Sequence, residues 1–395
     1  MSNREVVILS GVRTAIGDYG GSLKDIPPSE LAAKVVREAL ARAKVDPKEV
    51  GQCVLGNVIH TEARDMYISR LAAVNGGLPH ESGALTVNRL CGSGLQAIVS
   101  ASQYILLGDT DAAIGAGAES MSRAAYASVT QRWGARMADS KMIDMMVGAL
   151  TDPFDTVHMG VTAENVAAQC KFNREVQDQF AVESHRRATA AHGAGHFKGQ
   201  ILPIELKSKK GPVMFEHDEH VRADTTMESL AKLKAVFQKE NGTVTAGNAS
   251  GINDAAAAVV LMEKSAAEKR GLKPMARLVT YGHAGIDPKI MGLGPISAVK
   301  SALAKAGLRI SDLDVIESNE AFAAQAMGVT QGLDLDPAKV NPNGGAVALG
   351  HPIGATGCIL TIKAMYELQR TGGRYALITM CIGGGQGIAA IIERM

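Results

Sequence analysis

"LTVNRLCGSGLQAIVSASQYILLGDTDAAIGAGAES", Leu85 to Ser120, holds the pattern on which the fold turns. A short strand-like run ends at Asn88 and a Gly-rich turn follows. Leu95, Ile98, Val99, Ser102, Ile105 and Leu106 then recur at helical spacing up to Gly108, and a second strand-like run closes the unit. The order strand, turn, helix, strand predicts an α/β unit with Cys91 at or next to a helix N-terminus. There the free N–H groups and the positive end of the helix dipole stabilise a thiolate and lower its pKa. A small cysteine buried at a tight turn fits the same pattern, and this stretch alone leaves both readings open.

The last third of the chain repeats the order. "AKVN" leads into "PNGGAVALGHPIGATG", then a helical pattern from Cys358 to Leu368 ending at Gly372 and Gly373, then strand-like "RYALITM" followed by "CIGGG". Val87-Asn88 returns as Val340-Asn341. Two copies of one α/β unit packed face to face bring equivalent loops to a shared centre, and Cys91 and His351 occupy comparable loops. The middle third differs. From about Ser122 to Ser250 it carries the single Trp, a Met-rich run, a charged helix around "REVQDQFAVESHRRATAAH" and a strand-and-turn excursion from Pro203 to Met214. It reads as an inserted lobe.

Composition sets the class. With 395 residues, 46% of them hydrophobic and few aromatic, the chain suits layered α/β packing in two or three domains. Its 43 glycines, against roughly 28 expected at about 7% usage, cluster at strand-to-helix junctions where backbone N–H groups can approach a ligand. Lys plus Arg (41) nearly cancel Asp plus Glu (40), so nothing global argues for nucleic acid or an anionic membrane. No run approaches twenty uninterrupted apolar residues, no leader pattern opens the chain and "ERM" is not a peroxisomal signal; a cytoplasmic location is expected. Five widely spaced cysteines without a CxxC pair argue for reduced thiols. The pairs His192 with His196 and His217 with His220 have metal-like spacing but no further ligand, so no metal site is expected.

Three further positions suit chemistry. His351 in "GHPIG" is held by Gly350 and the rigid Pro352, as a fixed imidazole or as a structural one. Cys381 stands at a strand end before three glycines, with the N–H of Gly383 or Gly384 free to meet an oxyanion. Asn319 in "ESNEAFAAQ" opens a helical run, as an N-cap or as the holder of a catalytic water.

Together, "VNRLCGSGLQA", "HMGVTAENVA", "GTVTAGNASGINDAAAA", "NEAFAAQA", "NPNGGAVALGHPIGATG" and "CIGGGQG" resemble the thiolases, acetyl-CoA C-acyltransferases, over the whole chain. The likeness is greatest to the short-chain bacterial β-ketothiolases of polyhydroxyalkanoate and acetoacetyl-CoA metabolism. It implies an α/β thiolase fold with duplicated five-layer α/β/α/β/α halves and an inserted loop domain, as a homotetramer made of tight dimers. On that basis residues 1–121 with about 251–272 form the N-terminal half, 122–250 the loop domain and 273–395 the C-terminal half. Cys91 matches the nucleophile that takes the acyl group, His351 the residue that activates it, and Cys381 the acid/base. Asn319, through a water, and His351 match one oxyanion hole; the N–H groups of Cys91 and Gly383 match the other. Coenzyme A and acyl-CoA are implied as substrates, with no permanently bound cofactor. The CoA contacts implied are Leu150, His158, Met159, Arg222, Ser229, Ala246, Ser250, Ala321 and Phe322. Ser318 departs from the alanine common before "NEAF".

The competing readings explain less. "GAGAES" lacks the third glycine of a dinucleotide fingerprint. A Cys-His-Asn hydrolase leaves Cys381 unexplained, and a ketoacyl synthase normally has histidine where Asn319 stands.

Overall fold

Strands covered on both faces read as continuous apolar runs rather than alternating ones, and the central strands of this chain are built that way. In a computed structural model describing residues 4–209 and 211–395, every residue of Val6–Thr14, Ala112–Ser120 and Asn253–Glu263 is buried. The first half runs β1 (Val6–Thr14), α1 (Pro28–Ala43), β2 (Val50–Gly56), α2 (Ile68–Gly76), β3 (Gly83–Val87), α3 (Ser93–Leu107) and β4 (Ala112–Ser120). The middle third carries α4 (Met159–Cys170) and α5 (Arg174–Gly193). Then follow β5 (Asn253–Glu263), β6 (Ala276–Gly285), α6 (Gly294–Ala306), β7 (Val315–Ser318), α7 (Ala323–Gly332), α8 (Ile353–Thr371), β8 (Tyr375–Ile382) and β9 (Gln386–Arg394).

Strand order makes the duplication explicit. The first half is ordered β3-β2-β4-β5-β1 and the second β7-β8-β9-β6, and a two-residue pairing of β1 with β6 joins them into one sheet. In the second half the place of β3 is taken by an isolated parallel bridge between Ile316 and Val340. Both halves then follow the same order, with parallel pairing at one side and antiparallel at the other.

α3 and α8 pack against each other between the two half-sheets, while α1 covers the outer face of the first half and α6 that of the second. These are the five layers. Glycine lets the central helices touch: a Cβ on Gly94 would lie 2.8 Å from the carbonyl oxygen of Gly354 and 2.9 Å from the amide nitrogen of Cys358. Residues 90–107, with a mean hydropathy of 1.3, are apolar and long enough by composition alone to cross a membrane. In this fold they form the inner layer.

Two boundaries differ from expectation. α8 starts at Ile353, five residues before the expected Cys358, because Gly354 and Gly357, weak helix formers, sit where no side chain fits: a Cβ on Gly357 would meet Leu95 of α3 and one on Gly354 would meet Glu119 and the end of β2. β8 continues through Cys381 to Ile382, so Cys381 lies inside the strand rather than after it. "GAGAES" lies wholly within β4, and Gly115 and Gly117 there admit the backbones of α3 and α8 instead of turning around a phosphate.

Candidate active site

Cys91 sits one residue ahead of Gly92, the N-cap of α3, after Leu90 in a left-handed conformation (φ 46°). Ser93 stabilises the turn: its Oγ accepts the Arg89 N–H at 2.8 Å and donates to the Leu90 carbonyl at 2.6 Å. The thiol packs among Val58, Ile59, Met121, Leu150 and Ile353. Burial pushes it up to about 11, opposed by the N–H groups of Gly383 and of Cys91 itself and reinforced by the nearby Glu119. The helix terminus was expected to lower this value, and the apolar surroundings outweigh it.

Cys381 enters from the other half. It is fully buried on β8, opposite Gly387, and packs with Met159, Ala321 and Phe322. Burial raises it well above the usual thiol range, and the neighbouring Cys91 raises it further. The fold thus brings two thiols and the Gly383 N–H together from opposite halves.

His351 is buried, and burial alone pulls it down to about 4, so the ring is neutral. Its N–H donates to Asn253 Oδ1 at 2.9 Å, and its Nδ1 lies 2.7 Å from Thr356 Oγ1. Nε2 has no partner among the described residues, which leaves it free to exchange a proton. Asn319 follows β7, with its N–H on the Thr379 carbonyl at 3.0 Å, two residues before Cys381. It is not an N-cap, since Phe322 has that position. Both polar atoms of its buried side chain lack partners among the described residues, as a holder of water requires. Ser318 Oγ is likewise unpartnered, and its backbone is clamped by Asn341, which accepts the Ser318 N–H and donates to its carbonyl at 2.9 and 2.8 Å.

Beside His351 opens a cavity of about 880 Å³. Leu150, His158, Arg222, Ser229, Ala246, Ser250 and Phe322 line it; Met159 and Ala321 do not, being packed behind it around Cys381. Of the expected catalytic set, only His351 reaches this wall. The metal-like histidine pairs separate: His196 bonds Asn343, His192 meets Asp218 and His220 meets Asp18.

Residues 6–265 match the family described as thiolase, N-terminal domain, and residues 272–394 that described as thiolase, C-terminal domain. The chain belongs to the thiolase family. This thiolase is 68% identical to the beta-ketothiolase BktB of Cupriavidus necator, with 99% of this chain and 100% of that protein covered. It is 47% identical to an acetyl-CoA acetyltransferase of Paracoccus denitrificans, with 99% of each covered. A crystal structure of human mitochondrial 3-ketoacyl-CoA thiolase in complex with CoA superposes with a TM-score of 0.96 at 44% identity, covering 99% of this chain and 98% of that one.

Several residues of the thiolase site escaped sequence reading. Thr356 holds His351 from one turn inside α8, and nothing in "GATG" marks its hydroxyl. Phe237 stacks on His158 at 4.6 Å and meets Phe322 edge-on at 6.4 Å, long-range contacts without a local signal. Glu119 did carry a signal, a lone charge in an all-buried strand. Its carboxylate accepts N–H groups of Val58 and Ile59 from one half and Gly354 from the other, plus the Asn57 amide, while burial pushes it up to about 8.

Proposed function

We propose that this thiolase joins acetyl-CoA to an acyl-CoA by Claisen condensation to give a 3-ketoacyl-CoA, and runs the reverse thiolysis, on short-chain substrates. The observation that carries this reading is the pair of thiols brought together from the two halves, Cys91 partly buried and Cys381 fully buried, with the Gly383 N–H at the first of them.

Neutral thiols and a neutral imidazole are the resting state. As Cys91 sulfur attacks the thioester carbonyl, its proton passes to His351 Nε2, and the oxyanion is held by the N–H groups of Cys91 and Gly383. CoA leaves as its thiol, taking that proton, and the acyl group stays on Cys91. Cys381 then passes its own proton to His351 Nε2 and, as the thiolate, takes a proton from the α-carbon of acetyl-CoA; Asn319, through water, and the protonated His351 hold the enolate oxygen. The carbanion attacks the acyl-cysteine carbonyl, the C–S bond breaks and the Cys91 thiolate that leaves recovers the proton held on His351. Thiolysis reverses each step.

CoA enters as substrate through the cavity, with Arg222 toward the charged nucleotide end, Phe322 toward the pantetheine arm, Leu150, His158, Ser229, Ala246 and Ser250 around it, and Met159 and Ala321 behind the reacting end of that arm, packed with Cys381. The domains divide as 1–121 with 251–272, 122–250 and 273–395, and the enzyme works as a cytoplasmic homotetramer in polyhydroxyalkanoate synthesis. Trp133 and Met137 of the inserted lobe, 85% and 92% exposed, support a covering partner subunit.

The test is product analysis of acetoacetyl-CoA and longer 3-ketoacyl-CoA substrates incubated with free CoA. Two acyl-CoA products, fastest from the shorter chains, support the proposal; free acetate, a carrier-protein requirement or a strong preference for long chains opposes it.

A further inference from the structure

In the charged stretch "EHDEHVR", residues 216–222, only Arg222 has a part in the chemistry above, at the nucleotide end of CoA. The stretch grips the turn that follows β1. Asp218 is buried against Arg13, with Nη1 to Oδ1 at 2.6 Å and Nη2 to Oδ2 at 3.0 Å, and Oδ1 also accepts the Ile16 N–H at 2.8 Å. Glu219 donates its N–H to the Ile16 carbonyl at 2.9 Å. Its carboxylate accepts the N–H groups of Asp18 and Ser22 at 2.9 and 3.1 Å and the Ser22 hydroxyl at 2.8 Å. His220 Nδ1 lies 2.9 Å from Asp18 Oδ1. Three consecutive side chains of one segment therefore hold one short turn of the core.

The two ends of this arrangement face the cavity. Tyr19 follows Asp18 and lines it; Arg222 stands two residues after His220 and lines it as well. Arg222 is exposed, yet its N–H donates to His185 Nδ1 at 3.2 Å and its guanidinium lies 3.8 Å from Asp18 Oδ2. A long cation on a free loop gives up rotamer and backbone freedom when it meets an anion, and one already anchored gives up less.

We propose that Asp18, Asp218 and Glu219 form a polar clasp that positions Arg222 and Tyr19 at the cavity and so sets the affinity for the anionic nucleotide end of CoA. They are positioning residues, and the proposal rests on the reading of the cavity as the CoA site.

The test compares Asp18→Ala, Glu219→Ala and Asp18→Asn on two substrates, acetoacetyl-CoA and the acetoacetyl thioester of pantetheine, which lacks the nucleotide. Each alanine variant should raise KM for acetoacetyl-CoA about tenfold (~1.4 kcal/mol) with kcat within about twofold, and leave both constants for the pantetheine thioester unchanged. Asp18→Asn, which keeps an acceptor for His220, should recover most of the loss. Equal losses on both substrates, or an unchanged KM, overturn the clasp. A wild-type enzyme that turns over neither thioester overturns the reading of the cavity, and the clasp with it.

Discussion

Replacing Thr356 by valine removes one hydroxyl and almost no volume. The hydroxyl lies 2.7 Å from His351 Nδ1, both groups are buried, and among the described residues no other hydrogen bond holds the ring. Losing one partner of a buried hydrogen bond costs about 1–3 kcal/mol, because the remaining polar atom keeps its desolvation penalty. If that cost falls on the transition state, where the ring must aim Nε2 at the Cys91 proton, kcat drops roughly 5- to 150-fold. KM should move little, since the changed atom lies behind the imidazole rather than on the cavity wall. Steady-state thiolysis of acetoacetyl-CoA measures both constants, and a thermal melt reports whether packing survived. Thr356→Ser, which keeps the oxygen, should restore most of the rate. A Thr356→Val enzyme with kcat within about twofold of wild type and an unchanged melt would show that the ring does not need this bond, and the assignment of its free nitrogen would lose its support.

Three other outcomes follow from burial and charge. Gly94→Ala places a methyl 2.8 Å from the Gly354 carbonyl oxygen, so chemical denaturation should show a loss of about 1–3 kcal/mol or more with lower activity; wild-type stability would mean the central helices are not in close contact. Arg13→Met leaves Asp218 buried without its cation, and urea titration should show about 3–5 kcal/mol lost. Burial pushes Asp218 up, but Arg13 and the His192 bond outweigh it and hold the carboxyl below its ordinary value. The ion pair therefore stabilises above about pH 4, where the unfolded carboxyl ionises, and the contribution disappears as pH falls further; stability of the variant should depend less on pH in that acid range. Finally, alkylation of Cys91 in the free enzyme should be slow at neutral pH and still rising at pH 9, because burial pushes the thiol up to about 11; a plateau near pH 7 would mean a thiolate is already present at rest.

Where local chemistry decides the conformation, the sequence was readable. The run from Leu85 to Ser120 announces strand, turn, helix and strand through apolar spacing and glycine alone, and Gly108 ends α3 in the left-handed conformation expected of it. The start of α8 is hidden in the sequence because the glycines that weaken a helix locally are the ones that close packing requires, Gly357 on α3 and Gly354 on Glu119 and the end of β2. Asn319 illustrates the same limit. An asparagine before a helical run looks like a cap, and only the tertiary fold shows its amide buried with neither polar atom engaged among the described residues. Family likeness pointed to nine CoA contacts, of which Met159 and Ala321 pack one layer behind the cavity. Tyr19 and Phe237 meet the site through distant pairings and leave no periodic trace, while Thr356 reaches His351 from five residues on, where nothing in the sequence marks its hydroxyl. "EHDEH" looked like a weak metal pair because spacing was all it offered; its partners lie about two hundred residues away at Arg13 and Asp18.

The central claim is that an acyl group passes through Cys91. Mass spectrometry of the protein after incubation with acetyl-CoA and no free CoA, followed by peptide mapping, tests it directly. One acetyl group is expected on the peptide containing Cys91, lost when CoA is added and recovered as acetyl-CoA. Unmodified protein, or acetate released with no acetyl-CoA regenerated, would contradict it.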